Sequence, residues 1–491
     1  MLYFYCCFIF QKEGAFILVQ KRTSFSGGLG FVLAAAGSAV GLGNIWRFPY
    51  LAARNGGGLF LVIYLVLALT FGFTLLTAEV AIGRKTRRGP LMAYNKLKRG
   101  KFSKLLGVFS CLVPFIILPY YCAIGGWVFK YFVAFVTGHG ADTANESYFG
   151  DFISGKYEPV IYMVIFLFII GFIVYKGVKS GIELSSKILM PILFLLVIGI
   201  SVFSLFISHT DSAGHTTTGL EGWKVLFIPN FEGLTLQRFV QALVDAMGQL
   251  FFSLSIAMGI MIAYGSYVDK KANLVRSINN IELFDTIVAF LAGTMIIPAV
   301  YVFMGPEGLE NSGPSLMFIS LPKVFTSMGW IGNVIGAAFF AMVLFAAITS
   351  AMSVLEAVVS SLIDKYRMKR KTATVSESAI ALVLALLVCF GYNILFFKLP
   401  LPTGSDGQIL DVMDYISNSV LMPIVAISTC VLVGWMVKPK TILDECQANG
   451  EKMFRKGLFV VMIKFVAPIF LLLLFLKSSG IFNLLGIEYF G

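Results

Sequence analysis

The chain has 491 residues, of which 58% are apolar and only 13% are charged, and its formal net charge is +12. This composition is typical of a polytopic membrane protein and argues against a soluble enzyme. The basic residues cluster in short connections, which is the positive-inside pattern of membrane topology and not a nucleic-acid-binding surface.

Residues 1–21 differ from the rest of the chain, and we expect them to form an N-terminal segment upstream of the true translation start. The tripeptide Lys12-Glu13-Gly14 would be encoded by a purine run that resembles a bacterial ribosome-binding site. A short signal sequence is the alternative, although no positive charge precedes its apolar stretch.

Eleven apolar segments are long enough to cross a bilayer. They are predicted at 28–52, 58–83, 105–137, 159–175, 188–207, 239–267, 280–304, 331–362, 376–396, 412–436 and 457–478. The connections after the even-numbered spans carry most of the lysines and arginines, which predicts a cytoplasmic N-terminus and, with an odd span count, an external C-terminus. Residues 22–478 therefore form one membrane domain (spans one to five over about 28–207, six to ten over about 239–436, span eleven over 457–478), and 479–491 form a short tail.

Two spans contain stretches that are weak as helices. The first span holds three glycines and an asparagine between Gly37 and Asn44, and the sixth is interrupted at 253–259. Glycine costs about 1 kcal/mol per residue in a helix interior, so these stretches are predicted to unwind. Unwound backbone at membrane depth is tolerated where it lines a cavity, and there its carbonyls can bind cations. Interruptions at matching positions of two five-span halves indicate a transporter binding site.

Cysteine and histidine chemistry contributes little to this prediction. The seven cysteines show no metal-binding spacing and are interpreted as small core residues, and the three histidines fall in predicted loops. No cofactor is expected.

Three motifs carry a resemblance to a known family. The runs 37–50 with 55–58, 249–255 and 346–350 resemble the first-, sixth- and eighth-helix motifs of the neurotransmitter:sodium symporter family, in its bacterial amino-acid-transporting branch. The resemblance covers nearly all of residues 22–478. It implies an all-α integral membrane protein of the bacterial cytoplasmic membrane, with eleven transmembrane helices in two inverted five-helix repeats and helices 1 and 6 broken at mid-membrane.

The resemblance implies two sodium sites built from oxygen ligands, as hard cations require. For the first sodium it suggests Ala39, Asn44, Ser253 and Asp285. For the second it suggests Gly37, Val40, Ala346, Thr349 and Ser350. Taken alone, Thr349 and Ser350 would be interpreted as a helix-packing pair; beside the unwound stretch we favour the ligand role.

Asp285 stands where many family members carry an asparagine. Chloride-dependent relatives balance the cations with a bound anion nearby, and Tyr64, Gln249 and Ser253 resemble the polar partners of that anion. A fixed aspartate could supply the same negative charge, so we predict chloride-independent transport. The alternative is a carboxylate that neighbouring hydroxyls merely satisfy.

Gly41 indicates the substrate class, because monoamine carriers of the family have an aspartate at this position. A glycine leaves room for the carboxylate of an amino acid near the first sodium. The resemblance implies a substrate pocket formed by Ser38, Ala39, Leu42, Gly43, Ile117, Tyr121, Phe252, Ser253, Ser255, Met258, Ser350 and Val354. These side chains are mostly apolar and none is charged, so a neutral hydrophobic amino acid, aliphatic or aromatic, is predicted.

Gates are implied on both sides of the pocket. On the outside, Tyr121 and Phe252 would close it, with Arg47 paired to Asp414 above them and Asp411 as the competing partner. On the inside, Arg22 and Asp364 would pair, supported by Ser266 and Tyr267. An exposed ion pair contributes about 0–1 kcal/mol, which suits a contact that must break in each cycle. Ordinary interfacial charge is the alternative for the inner pair.

The predicted function is sodium-coupled amino-acid import by alternating access, with an amino acid, sodium ions and the bilayer as partners and no nucleic acid. A membrane sensor that binds an amino acid without transport is the main alternative. An intramembrane enzyme is a third class, but no nucleophile–base pair is recognisable in the spans. The transported amino acid, the stoichiometry and the oligomeric state stay open.

Overall fold

The computed structural model describes residues 23–210, 214–310 and 313–484, so the expectation about residues 1–21 lies outside the described residues. In chain order the helices are α1 Gly28–Ala39, α2 Gly43–Arg54, α3 Gly58–Thr86, α4 Pro90–Leu97, α5 Lys101–Val136, α6 Glu146–Ser154, α7 Glu158–Lys176, α8 Val178–Phe206, α9 Gly219–Phe227 and α10 Leu236–Ser253. They continue with α11 Ile260–Gly265, α12 Leu274–Met304, α13 over 313–327, α14 Trp330–Tyr366, α15 Arg370–Phe390, α16 Ile409–Met436, α17 Lys440–Cys446, α18 Lys456–Ser478 and α19 Ile481–Leu484.

Two short hairpins depart from the all-α prediction. Strand β1 (Ser208–Thr210) pairs antiparallel with β2 (Thr216–Thr218), with Ser208 opposite Thr218. Strand β3 (Leu399–Pro400) pairs antiparallel with β4 (Asp406–Gly407), with Leu399 opposite Gly407. Threonine favours extended backbone, which accounts for the first hairpin. Both lie in connections between helices, so the architecture is mostly helical.

Nine of the described helices are long and apolar enough to cross a membrane, and they match nine of the eleven predicted spans. Helices α1 and α2 together provide a tenth candidate and bend by 49° at their break. The sixth predicted span is the pair α10 and α11, separated by 254–259. Its first half carries polar residues along one face, among them Gln241, Asp245 and Gln249, which makes it less apolar than the other candidates.

Large apolar side chains cover the outside of the helices as well as the core. Phe168, Leu195 and Phe206 are 71%, 69% and 82% exposed. Exposure of many large apolar side chains is typical of a lipid-facing protein. The interior is close-packed around α1, whose small residues from Ala34 to Ala36 are fully buried.

Both interruptions predicted from the sequence are present. Helix α1 ends at Ala39, where Val40 leaves the helical region (φ −75°, ψ 79°), and α2 begins at Gly43 with a π-helical turn. Between α10 and α11, Ser255, Ala257 and Gly259 all have positive φ. Left-handed backbone is costly for residues with a Cβ and persists where the surroundings enforce it. Local strain of this kind is common at ligand sites.

Candidate substrate and cation site

The two interrupted segments meet at a small cavity. Its lining consists of Ser38, Ala39, Gly41, Leu42, Gly43, Ile117, Tyr121, Phe252, Ser253, Ser255, Met258, Ile260, Ser350 and Val354. All twelve residues predicted for the substrate pocket are in this set, and Gly41 and Ile260 complete it. The lining residues come from α1, α2, α5, α10, α11, α14 and both breaks, and Ser38 and Val354 are 316 positions apart in the chain.

Serine side chains hold the breaks against each other. The Ser255 hydroxyl donates to the Ser38 carbonyl at 3.1 Å and lies 3.1 Å from the Ser38 hydroxyl. From α14, Ser350 donates to the same carbonyl at 3.1 Å. Backbone groups freed by unwinding must find partners when buried, and these hydroxyls provide them.

Close packing leaves no room for larger residues on the floor of the cavity. A Cβ added at Gly41 would lie 2.7 Å from the Ser350 hydroxyl, and one at Gly43 would lie 2.5 Å from the Phe252 ring. A larger residue at either position would therefore force Ser350 of α14 or Phe252 of α10 to move away from the first break. Helix α2 begins at Gly43, which lines the cavity, so the positive end of its dipole faces the cavity.

The Asp285 carboxylate is buried beside the cavity, only 1% exposed. One oxygen accepts from Asn44 Nδ2 at 2.8 Å, and the other accepts from Ser253 at 3.1 Å and Tyr64 at 3.2 Å. Asp285 thus contacts Asn44 and Ser253 directly, whereas the Ala39 carbonyl, the fourth group suggested for the first sodium, accepts from Gly41 N at 2.9 Å. A buried carboxylate without a cationic partner is costly, and a bound cation would offset that cost.

An unpartnered oxygen supports a cation at this place. Asn44 Oδ1 is buried and accepts no hydrogen bond in the described part of the chain, although its amide nitrogen is paired. The Ser253 hydroxyl retains lone pairs that its contact with Asp285 does not use. A cluster composed only of neutral and carboxylate oxygens suits a hard cation. Groups of three or more histidine, cysteine or acidic side chains that could hold another metal do not occur among the described residues.

The residues suggested for the second sodium lie where α14 crosses α1. The Ser350 hydroxyl is 3.5 Å from the Gly37 carbonyl, and Thr349 donates to Ala346 O at 3.0 Å. A Cβ added at Gly37 would lie 3.1 Å from Met190 Sδ and 3.2 Å from Thr349 Cβ, so a larger residue would require these neighbours to shift. Val40 is the fully buried residue that follows the end of α1. The set therefore combines helix carbonyls and hydroxyls from two helices.

The predicted outer gate is only partly in contact. Tyr121 and Phe252 line the cavity together. Arg47 and Asp414 do not form an ion pair within 4.0 Å; Asp414 accepts instead from Asn418 Nδ2 at 2.5 Å. The competing partner Asp411 caps its own helix by accepting from Gln408 N at 2.8 Å.

The predicted inner gate lies partly outside the described residues, because these do not include Arg22. Asp364 accepts from Arg88 Nη1 at 3.2 Å and from the Gly89 backbone N–H at 2.5 Å. Ser266 donates to Ala263 O at 2.5 Å, and Tyr267 accepts the backbone N–H of Phe25 at 3.1 Å. The start of the first span is therefore tied to the end of α11.

The sequence interpretation did not name five buried carboxylates of the described residues, Glu79, Glu183, Glu282, Glu356 and Glu377, and two of them lie at the second break or in an ion pair behind it. Glu356 is fully buried and forms a bidentate ion pair with Arg370 (2.6 and 2.8 Å), and Tyr267 donates to it at 2.5 Å. Glu79 accepts from the backbone N–H of Ala257 at 2.7 Å and so holds the second break. Acidic residues within otherwise apolar spans are functional candidates by default, and that signal could have identified both.

The geometry can be compared with known proteins. The family model described as Sodium:neurotransmitter symporter family matches residues 22–151 and 149–490. The uncharacterized sodium-dependent transporter YhdH of Bacillus subtilis (strain 168) is 32% identical, with 94% of this chain and 99% of that protein covered. An uncharacterized sodium-dependent transporter of Haemophilus influenzae is also 32% identical, over 94% of this chain and 98% of that protein.

A solved structure has the same fold. The crystal structure of MhsT in complex with L-phenylalanine matches with a TM-score of 0.80 and 34% identity, covering 93% of this chain and 100% of that one. The helical architecture, the interrupted segments and these similarities agree with one another. The chain is a multi-pass membrane protein that belongs to the sodium:neurotransmitter symporter family.

Proposed function

We propose that this protein is a chloride-independent symporter that uses sodium to import a neutral hydrophobic amino acid by alternating access. The observation that carries the proposal is the Asp285 carboxylate beside the unpartnered Asn44 amide oxygen, at the edge of an apolar cavity. A cation bound there would lie next to the carboxylate of an amino acid in the cavity. Each would then stabilise the binding of the other, which is the physical basis of coupled transport.

The cavity supports the substrate class. The part of the cavity that would receive the substrate side chain is lined by Ile117, Met258, Ile260 and Val354. The other lining residues include serine and tyrosine hydroxyls, and none of the lining residues is charged. A charged side chain would lose its hydration there without a compensating partner. The related MhsT structure holds L-phenylalanine, so an aromatic or aliphatic amino acid is the substrate we propose. Its carboxylate would face the N-terminus of α2.

The proposed cycle requires two sodium ions and two gates. The first sodium would use Ala39, Asn44, Ser253 and Asp285, and the second Gly37, Val40, Ala346, Thr349 and Ser350. Tyr121, Phe252, Arg47 and Asp414 would close the outer side, and Arg22, Asp364, Ser266 and Tyr267 the inner side. Arg47 and Asp414, which are separate here, would come together when the outer side closes.

We further propose eleven transmembrane helices in two inverted five-helix repeats, with α1–α2 and α10–α11 as the broken helices 1 and 6. The N-terminus would face the cytoplasm and the C-terminus the outside of the bacterial cytoplasmic membrane, because the connections such as 84–104 are strongly basic. Residues 22–478 would form the transporter domain. Labelling single cysteines in the 365–371 and 140–146 connections with an impermeant thiol reagent on intact cells tests this orientation; the former should stay unlabelled.

Transport in proteoliposomes tests the proposed function. Purified protein in vesicles with potassium inside and sodium outside should accumulate labelled L-phenylalanine, and replacing external sodium by potassium should abolish uptake. Replacing chloride by gluconate should leave uptake unchanged. Sodium-dependent binding without either uptake or counterflow would refute transport, and loss of uptake in gluconate would refute chloride independence.

A further inference from the structure

Arg455, which does not line the cavity, connects the start of α18 to α3 and α12, the two helices that carry Tyr64 and Asp285. Arg455 immediately precedes α18, and its guanidinium makes four hydrogen bonds. Nη1 donates to Glu282 Oε1 and Leu69 O, both at 2.9 Å, and Nη2 donates to Glu282 Oε2 at 2.8 Å and Asn279 Oδ1 at 2.7 Å. Its Cζ lies 3.6 Å from the centroid of the Phe73 ring.

The acidic partner of Arg455 lies on the helix that carries the cation-site carboxylate. Glu282 is 4% exposed and precedes Asp285 by three residues in α12, about one helical turn. The pair is bidentate, and a planar guanidinium engaged in this way holds the orientation of its carboxylate as well as its distance. Arg455 therefore restricts the rotation and register of α12 directly below Asp285.

Two further partners of Arg455, Leu69 and Phe73, lie on α3, which also contributes to the cation site. Tyr64 of α3 donates to Asp285. Five residues later Leu69 lies in a π-helical turn, Ala68–Gly72, whose widened geometry leaves carbonyls free to accept external donors. At the end of that turn Gly72 packs against Leu254 of the second break, since a Cβ added there would lie 2.7 Å from Leu254 Cδ1. Arg455 thus connects α3 and α12 about one helical turn away from the place where Tyr64 of α3 contacts Asp285 of α12.

We propose that Arg455 is a positioning residue for the first sodium site, and this inference rests on the sodium site proposed above. Cation ligands must be held within a fraction of an ångström, and removing outer contacts that orient the ligands of a metal typically reduces affinity by about 10–100-fold. The four hydrogen bonds of Arg455 join the two helices that supply Tyr64 and Asp285. Loosening this connection lowers sodium affinity without removing any ligand.

Two variants separate position from charge. Arg455→Lys keeps the positive charge but cannot form the bidentate pair together with the contacts to Leu69 and Asn279. The double variant Arg455→Gln with Glu282→Gln removes both charges and leaves no unpaired buried carboxylate. Both should raise the half-saturating sodium concentration by about tenfold. Lys323→Gln is the matched control, because it removes an ion pair at 2.6 Å with Glu146 on the protein surface, and it should leave that concentration unchanged.

Sodium binding is measured in two ways on the full-length protein in detergent. The first is the sodium-dependent rise of the unfolding temperature without amino acid, taken relative to the same variant in potassium so that general losses of stability cancel. The second is the sodium dependence of L-phenylalanine binding. If sodium half-saturates Arg455→Lys or the double variant at the wild-type concentration, the inference about Arg455 is wrong, and the proposed function is unaffected. If sodium stabilises the wild type but L-phenylalanine does not bind, the proposed substrate class is wrong, and the first measurement still tests the role of Arg455. If sodium has no effect on the wild type, the proposed function and this inference are both wrong.

Discussion

Replacing Asp285 by asparagine tests whether a fixed carboxylate supplies the negative charge of the cation site. The side chains have nearly the same shape, and the amide nitrogen can face the hydroxyls of Ser253 and Tyr64, which are able to accept as well as donate. The amide oxygen can still accept from Asn44 Nδ2, which lies 2.8 Å from Asp285 Oδ1. The substitution therefore removes a charge while the hydrogen-bond network survives.

The expected magnitude follows from Coulomb's law. A carboxylate about 4 Å from a cation contributes about 4 kcal/mol at an effective dielectric constant of about 20. The amide dipole recovers part of this, so we expect a loss of about 2–4 kcal/mol, which corresponds to a rise of about 30–1,000-fold in the half-saturating sodium concentration. Chloride should lower that concentration in Asp285→Asn, because a free anion can then replace the missing charge, and it should have no effect in the wild type.

Sodium titrations of L-phenylalanine binding in chloride and in gluconate measure both effects. Glu377→Gln is the control, since Glu377 is a carboxylate buried to 1% exposure in α15 that does not line the cavity; its sodium dependence should match the wild type. A wild-type sodium requirement in Asp285→Asn would refute the carboxylate as a cation ligand. A chloride requirement in the wild type would refute the charge-compensation argument itself.

Three further substitutions test other parts of the structure. Gly41→Ala places a Cβ 2.7 Å from the Ser350 hydroxyl, so it should weaken L-phenylalanine binding by at least about tenfold at saturating sodium, and unchanged affinity would contradict the packing described at the first break. Thr349→Val removes the hydroxyl proposed for the second sodium and should raise the half-saturating sodium concentration by about 10–100-fold in the same assay. Ser327→Ala is the control that should have no effect, because the Ser327 hydroxyl donates to Lys323 O within α13. Arg370→Gln leaves Glu356 buried without its cation and should lower the free energy of unfolding by about 3–5 kcal/mol, measured as a lower unfolding temperature in detergent. Adding Glu356→Gln should restore most of the lost stability. If it does not, the loss does not arise from the unpaired charge.

Much of the fold was predictable because it depends on local chemistry. Long apolar runs must become helices in a bilayer, and nine candidate spans appear where hydropathy placed them. The glycines of 37–43 weaken the first span, and the structure breaks there. The pairing of β1 with β2 and of β3 with β4 was not predicted, because short strands in connections leave little periodic signal.

The buried ion pairs could be identified only from the tertiary structure. Glu356 and Arg370 are fourteen residues apart on different helices, and Arg455 reaches Glu282 across 173 positions. Because the partners lie on different helices, periodicity within one element could not relate them. For Arg47 and Asp414 the family resemblance implies an ion pair that this structure does not form. A gate has an open and a closed arrangement, and a sequence motif does not indicate which of them is present.

The sequence by itself determined a helical membrane protein with two unstable stretches and, through long ordered motifs, the residues that surround them. Only the tertiary structure decided how those residues meet: the Asp285 carboxylate among Asn44, Ser253 and Tyr64, and the serines that hold the breaks together. The physical reason is that helix formation and helix weakness depend on neighbours in the chain. A binding cavity depends on the packing of distant helices, which decides which freed backbone groups and buried charges find partners and which remain available to a ligand.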